Sequence, residues 1–217
     1  SGEFDAAMSS FMKKYREANA DDRQAMVENE LPKPDSYAER LLPLVSDHPH
    51  GDEALQALTW MDARADGQAR TVAAGLLAEL LMTHGDYRAA ALEYERTAYN
   101  YPDSSTAAEA GYGAIVAYRK HIETLPATEH SLIRRKVANS SLNFANTFPQ
   151  HAMAASVLSA AANDFMLLKD YTSALSTARK VLDEYPDSGA MHLRKTWIIL
   201  ADAAFESANY TEAEVAY

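Results

Sequence analysis

Residues 85–104 of the chain read GDYRAAALEYERTAYNYPDS, and their spacing recurs further along the sequence. The stretch combines a turn at Gly85, alanine and tyrosine at helical spacing, and a YPDS ending. Residues 169–188, KDYTSALSTARKVLDEYPDS, repeat this pattern in the same phase and with the same ending. Such a recurrence predicts a chain assembled from similar helical hairpins, each of which buries its apolar face against its neighbours.

Two units, 71–104 and 155–188, carry small and large apolar residues at matching offsets. Small side chains allow two helices to cross closely, while larger ones fill the space between helix pairs. A third, partial copy begins near Arg194. We therefore expect a structural role for Ala74, Leu77, Ala78, Leu81, Ala90 and Tyr94 in the first unit, and for Leu158, Ala161, Ala162, Phe165, Ala174 and Ala178 in the second.

These residues resemble the tetratricopeptide repeat family, whose helix–turn–helix unit of about 34 residues ends at a proline. The resemblance covers 71–104 and 155–217. It implies an all-α fold, a right-handed superhelix of antiparallel helix hairpins, and a non-catalytic function in protein binding. The GDY…A…YPDS sequence pattern also resembles that of bacterial cell-envelope members of the family. That similarity implies a scaffold in envelope assembly, periplasmic or associated with the outer membrane, with the cytoplasm as the alternative location.

The sequence divides into an N-terminal part, residues 1–66, and a repeat array, residues 67–217. The first part should form a helical cap or degenerate repeat hairpins, with Asp21 and Asp22 as cap residues and prolines at its breaks. The turn motifs at 85 and 169 lie about 16 residues farther apart than two consensus units. We therefore expect a longer, irregular hairpin at 105–154. The last repeat looks truncated, which indicates an excised fragment.

Composition excludes several functions. The net charge of −11 and the absence of a basic stripe with interleaved aromatic residues argue against nucleic-acid binding. The chain has no cysteine, which excludes disulfides and thiolate metal sites. Its apolar runs are shorter than the roughly 18 residues of a membrane-spanning helix.

No catalytic motif stands out in the sequence. It lacks a G-x-S-x-G elbow, and no glycine-rich loop follows a strand. His48 and His50, with carboxylates around them, are the only histidines close in sequence, but no third ligand motif follows them. We therefore expect no enzymatic activity, no bound metal and no cofactor.

The inner, concave face of the array is the candidate binding site. In repeat arrays the first helices of the hairpins line this face, and their outward offsets carry mixed acidic and apolar residues. Such a lining suits an extended peptide or a partner helix. Some of these positions could instead pack against neighbouring helices. The candidate groove residues are Glu79, Met82, Glu109, Asn163, Met166, Asp202 and Phe205.

One subgroup of the family binds acidic C-terminal tails through a clamp of lysine and asparagine at two fixed offsets of the first helix. At these offsets the chain has Gly75 and Glu79 in one unit and Ser159 and Asn163 in another. A clamp of that kind is therefore not expected.

Two alternatives to a free-standing scaffold stay open. The chain could be the non-catalytic superhelical region of a larger envelope enzyme that processes glycan or peptidoglycan. It could also be an oligomerisation module, because a truncated C-terminal repeat would leave apolar surface exposed and favour self-association.

Overall fold

The computed structural model describes residues 2–47, 51–100 and 104–217. The two histidines considered above as metal ligands, His48 and His50, lie outside these residues, as do residues 101–103 of the first YPDS ending. All regular structure in the described ranges is helical, so the predicted all-α fold class is confirmed. No helix in these ranges combines the length and the apolar character needed to cross a membrane.

The helices follow one another with short connections. They are α1 Gly2–Glu17, α2 Ala20–Asn29, α3 Pro34–Asp47, α4 Asp52–Arg64, α5 Gly67–His84, α6 Tyr87–Asn100, α7 Ala107–Glu123, α8 His130–Thr147, α9 Ala154–Leu167, α10 Tyr171–Glu184, α11 Ala190–Glu206 and α12 Tyr210–Ala216, with a 3-10 turn at Ala127–Glu129.

Contacts divide the chain into two compact units, Ser1–His84 and Gly85–Tyr217. The division falls after α5, one helix later than the boundary drawn from the sequence at 66/67. In the second unit, the stretch expected to hold a longer hairpin contains α7 and α8, with 17 and 18 residues. Helices α6, α9 and α10 have 14 residues each, but α11 also has 17, so length alone does not set the 105–154 hairpin apart.

In the first unit, α3, α4 and α5 pack on one another. The buried Phe4 of α1 joins this group, since its ring meets Tyr37 and Trp60 edge-on at centroid distances of 5.4 Å each. The cap predicted at Asp21 and Asp22 is wrong. Asn19 caps α2 instead, because its side chain accepts a hydrogen bond from the Asp22 backbone N–H.

In the second unit, each helix packs on the next one along the chain from α6 to α12, and α9 also contacts α11. Hairpins that pack in sequence order are the arrangement of an α-solenoid. The burial expected in the second repeat is confirmed, because its six apolar positions are at most 2% exposed. These positions are Leu158, Ala161, Ala162, Phe165, Ala174 and Ala178.

Three turns each contain a residue in the left-handed backbone conformation, and they fall at matching positions of the sequence pattern. Gly85, Lys169 and Ala208 have φ angles of 82°, 57° and 60°, and each is followed by Asp or Asn and then Tyr. At Lys169 and Ala208, the N–H of the following residue donates to a carbonyl five residues earlier, at 2.9 and 2.8 Å. This bond closes a Schellman motif, so the two helix ends share one geometry.

Asp170 begins α10 directly after the Lys169 turn. It accepts a hydrogen bond from the Ser173 backbone N–H and pairs with Arg135 at 2.7 Å. The Arg135 guanidinium is the main reason that the pKa of the Asp170 carboxyl lies below its ordinary value. This stabilisation is therefore present above the ordinary pKa and is lost as pH falls through the lowered one.

Substitution at two of these turns should change stability in opposite directions. Gly85→Ala should lower the free energy of unfolding by about 1 kcal/mol, because its Cβ meets open space and only the backbone is strained. Lys169→Gly should leave the free energy unchanged or raise it by up to about 1 kcal/mol, since glycine adopts positive φ without strain. Urea denaturation followed by circular dichroism measures both changes.

Gly75→Ala, in the middle of α5, is the control for these variants. Its Cβ also meets open space, but its φ is not positive, so the substitution should stabilise by about 0.5–1 kcal/mol. Equal effects of Gly85→Ala and Gly75→Ala would contradict the role of the turn.

Candidate protein-binding groove

A groove runs between α9 and α11 in the second unit. It consists of two adjoining clefts of about 540 and 590 Å³, which share Ser156 and His192. We call the two together the α9–α11 groove. The lining of its central cleft is Ser156, Ser159, Ala160 and Asn163 from α9 and His192, Lys195, Ile198 and Ile199 from α11.

Small residues on α9 create the central cleft, because Ser156, Ser159 and Ala160 leave space that larger side chains would fill. The hydroxyl group of Thr196 on α11 links this helix to α9. It donates to the His192 carbonyl at 2.9 Å and lies 3.0 Å from the Ser159 hydroxyl. Since Thr196 has a single proton to donate, Ser159 must donate to Thr196. This buried pair fixes the distance between the two helices.

The terminal cleft lies where α9 and α11 begin. Loop residues 149–152 form one side, and the turn from Glu184 to Ser188 forms the other. Burial raises the pKa of Tyr185, and neighbouring Glu184 adds to this shift. The hydroxyl oxygens of Tyr185 and Ser188 are buried and have no hydrogen-bond partner in the described structure. Because both are inaccessible to solvent, a ligand reaches them only after a side-chain rotation.

His151 holds the loop side of the terminal cleft in place. Its Nδ1 accepts a hydrogen bond from the Met153 N–H, and its Nε2 lies 3.2 Å from a carboxylate oxygen of Glu109. Nδ1 is therefore unprotonated, and the proton on Nε2 is donated to Glu109. The ring also stacks on Tyr112 and meets Phe144 edge-on. Glu109, a predicted groove residue, thus contacts this cleft through His151.

A buried ion cluster anchors α9 to the helices before it. The Asp164 carboxylate, 2% exposed, accepts from Arg119 of α7 and Arg134 of α8 at 2.9 Å each. Each arginine uses a different carboxylate oxygen, so both oxygens are paired. A buried carboxylate is tolerated only when it is paired in this way. The cluster therefore fixes the position of α9. This helix forms one wall of the groove.

The predicted site residues lie in different places. Asn163 is exposed in the central cleft, while Met166 is half-buried against the core of the second unit. On α11, Asp202 accepts a hydrogen bond from the Tyr217 hydroxyl at 2.6 Å, and Phe205 meets Tyr210 edge-on. Phe205 thus contacts α12, and Asp202 contacts the residue directly after it.

The remaining predicted residues, Glu79 and Met82, lie on α5 in the first unit. Glu79 is exposed and Met82 is half-buried. No single site in the second unit therefore contains the whole predicted set.

Sequence reasoning missed the charged and hydroxyl residues of the groove, namely Ser156, His192 and Lys195. The repeat offsets begin late on each first helix, and the three missed residues lie one or two turns before them on the same helical stripe. Helical spacing from Asn163 and Ile198 is the signal that could have found them. In the described parts of the chain, no group of three or more His, Asp or Glu residues is placed to hold a metal ion.

The fold and the groove define an all-α protein whose helices pack in sequence-adjacent pairs. No protein-family model and no curated protein sequence matches the chain. A solved structure, that of BtubC (BKLC) from P. vanneervenii, is similar at 17% sequence identity with a TM-score of 0.44. The match covers 98% of this chain and 87% of that one. A TM-score this low does not establish a shared fold, so the description rests on the helices themselves.

Removing the carboxylate of the ion cluster should destabilise the second unit. Asp164→Ala leaves two arginines without their partner in a partly buried site, and we expect a loss of about 2 kcal/mol in the free energy of unfolding. The control is Lys14→Ala, which breaks an exposed ion pair with Glu30 and should cost less than about 0.5 kcal/mol. Chemical denaturation measures both, and similar losses in the two variants would contradict the anchoring role of Asp164.

Proposed function

We propose that the chain is a non-catalytic scaffold of the tetratricopeptide type, a right-handed superhelix of antiparallel helix hairpins that binds a partner protein. Three turns with a left-handed residue before Asp or Asn and Tyr support this proposal. The packing of each helix on the next in the second unit supports it as well. In this account the protein uses neither a metal nor a cofactor, and its acidic net charge disfavours nucleic acid as a partner.

The observation that carries the proposal is the open α9–α11 groove. Its floor is made of small residues, and one wall presents Ile198, which is 49% exposed. Exposed apolar surface beside free polar groups is typical of peptide and helix binding sites. In our account a partner segment lies along the groove, buries Ile198 and Ile199, and forms hydrogen bonds with Asn163.

We further propose a role in bacterial envelope assembly, in the periplasm or at the outer membrane. The support is the GDY…YPDS sequence pattern of residues 85–104, which recurs as KDY…YPDS at residues 169–188. The alternatives are a cytoplasmic scaffold and the superhelical region of a larger envelope enzyme. A catalytic domain encoded in the same open reading frame favours the enzyme region, whereas a lipoprotein signal with further repeats favours the scaffold.

Substitutions in the groove should weaken peptide binding. The probe is a phage-displayed library of random 12-residue peptides, selected on the wild-type chain and measured individually by fluorescence polarisation. Ala160→Trp places a large ring in the central cleft, and Ile198→Glu puts a charge on its apolar wall. We expect each to weaken the selected peptides at least tenfold, because the contact surface is lost.

Leu132→Glu is the matched control, since Leu132 is an exposed apolar residue on α8 that does not line the groove. We expect the selected peptides to bind Leu132→Glu with the same affinity as the wild type. Selected peptides that tolerate both groove substitutions would place the binding surface elsewhere.

We also propose weak self-association through the C-terminal helices. Phe205, Tyr210, Val215 and Tyr217 are between 54% and 81% exposed, which is a large apolar surface for so short a segment. We expect concentration-dependent dimers in sedimentation equilibrium and a shift toward monomer in Val215→Lys. A wild-type chain that stays monomeric at high concentration in light scattering would overturn this proposal.

A further inference from the structure

We propose that the α9–α11 groove has two electrically opposite ends and selects a partner segment with a basic, an acidic and an apolar side chain in this order along the groove, the two charges about four residues apart. The basic side chain lies at Asp187 and the acidic one at Lys195, with an apolar residue against Ile198 or Ile199. This inference rests on the proposed function, because it specifies the chemistry of the segment that the groove binds.

The acidic end is the terminal cleft. Asp187 lies in the turn before α11, is exposed, and forms no ion pair within the described ranges. Glu184 lines the same cleft, but Lys180 holds its carboxylate at 2.6 Å. The cleft also contains His192 and His151, and both ring nitrogens of His151 already have partners in Met153 and Glu109. Asp187 is therefore the carboxylate available to a cation, and an arginine or lysine of the partner is the group that fits it.

The basic end is the central cleft. Lys195 is exposed on α11, lines this cleft opposite Asn163, and has no carboxylate partner in the part of the chain that the structure describes. The nearest acidic residue on the α9 wall, Asp164, is buried and already paired with two arginines. An acidic side chain of the partner thus meets an unpaired cation at Lys195 and no competing carboxylate on α9.

The spacing between the two ends sets the spacing of the partner's charges. Helix α11 begins after Gly189, two residues beyond Asp187, and the axial rise from Gly189 to Lys195 is about 9 Å at about 1.5 Å per residue. An extended chain covers this distance in about three to four residues, and only an even separation places both side chains on one face, so a separation of about four residues fits. Ile198 and Ile199 lie about one turn beyond Lys195, so the partner's apolar side chain follows its acidic one, about two residues further on. Charge pairs near the surface add selectivity more than affinity, so each pair should change binding severalfold.

The test uses four synthetic peptides with identical serine and alanine flanks and an N-terminal fluorophore. Their central sequences are Arg-Ser-Ala-Ser-Glu-Ser-Leu, its reverse Leu-Ser-Glu-Ser-Ala-Ser-Arg, Arg-Ser-Ala-Ser-Arg-Ser-Leu and Glu-Ser-Ala-Ser-Glu-Ser-Leu. The first two place the opposite charges in either chain direction, and a fifth peptide with Ser-Ser-Ala-Ser-Ser-Ser-Leu measures binding without charge. At 50 mM salt, we expect the better of the two mixed-charge peptides to bind at least fivefold tighter than either like-charged peptide.

Charge reversal in the groove should change the preferred peptide. Lys195→Glu makes both ends acidic and should favour the doubly basic peptide, whereas Asp187→Lys makes both ends basic and should favour the doubly acidic one. Lys136→Glu, at an exposed lysine on α8, changes the net charge as much as Lys195→Glu and should leave the preference unchanged. Raising the salt concentration to 500 mM should reduce the difference in affinity of the wild-type chain for the mixed-charge and the like-charged peptides.

The possible failures are distinguishable. If the peptides bind and Ala160→Trp weakens them, but their charges make no difference, the two-ended groove is wrong and the proposed function stands. A shift with Lys136→Glu equal to that with Lys195→Glu would also overturn the two-ended groove, because net charge would then explain the preference. If none of the five peptides binds but library selection yields a binder sensitive to Ala160→Trp, the two-ended groove is wrong and the proposed function stands. If the library yields no such binder either, both proposals are overturned.

Discussion

The hairpins of this protein depend on a tight turn whose first residue is left-handed. At Lys169 and Ala208 the turn ends one helix with a Schellman hydrogen bond, and Asp170 or Asn209 begins the next helix at once. A residue other than glycine at positive φ carries a backbone cost, so packing must hold it there. The chain reverses direction in very few residues, which brings the alanine-rich faces of consecutive helices together.

Close helix crossing then determines what the surface can do. Alanines at the crossings allow the helices to approach, and the buried Asp164 cluster with Arg119 and Arg134 fixes α9 in place. The Ser159–Thr196 hydroxyl pair holds α11 against α9. A groove with rigid walls binds a segment without a large ordering cost, which is the usual requirement for specific recognition by a scaffold. The interactions that stabilise the fold therefore also shape the groove.

Sequence reasoning predicted the features that depend on local periodicity. The helices and buried alanines such as Ala161 and Ala174 follow from spacing alone. The N-cap at Asn19 was missed because the acidic residues two positions later have the same capping chemistry. Lys195 was missed because its place in the groove depends on how α11 packs on α9. The contact of Asp202 with Tyr217 depends likewise on a neighbouring helix, and Glu79 belongs to the other compact unit.

The central claim is that a partner protein lies in the groove between α9 and α11. The most direct measurement is photo-crosslinking in the native cell, with a benzophenone amino acid placed at Asn163, at Ile198 or at Leu132. All three positions are exposed, but only the first two line the groove. The account predicts a crosslinked partner of the same mass from Asn163 and Ile198 and none from Leu132. A partner captured from Leu132 but from neither groove position would contradict it.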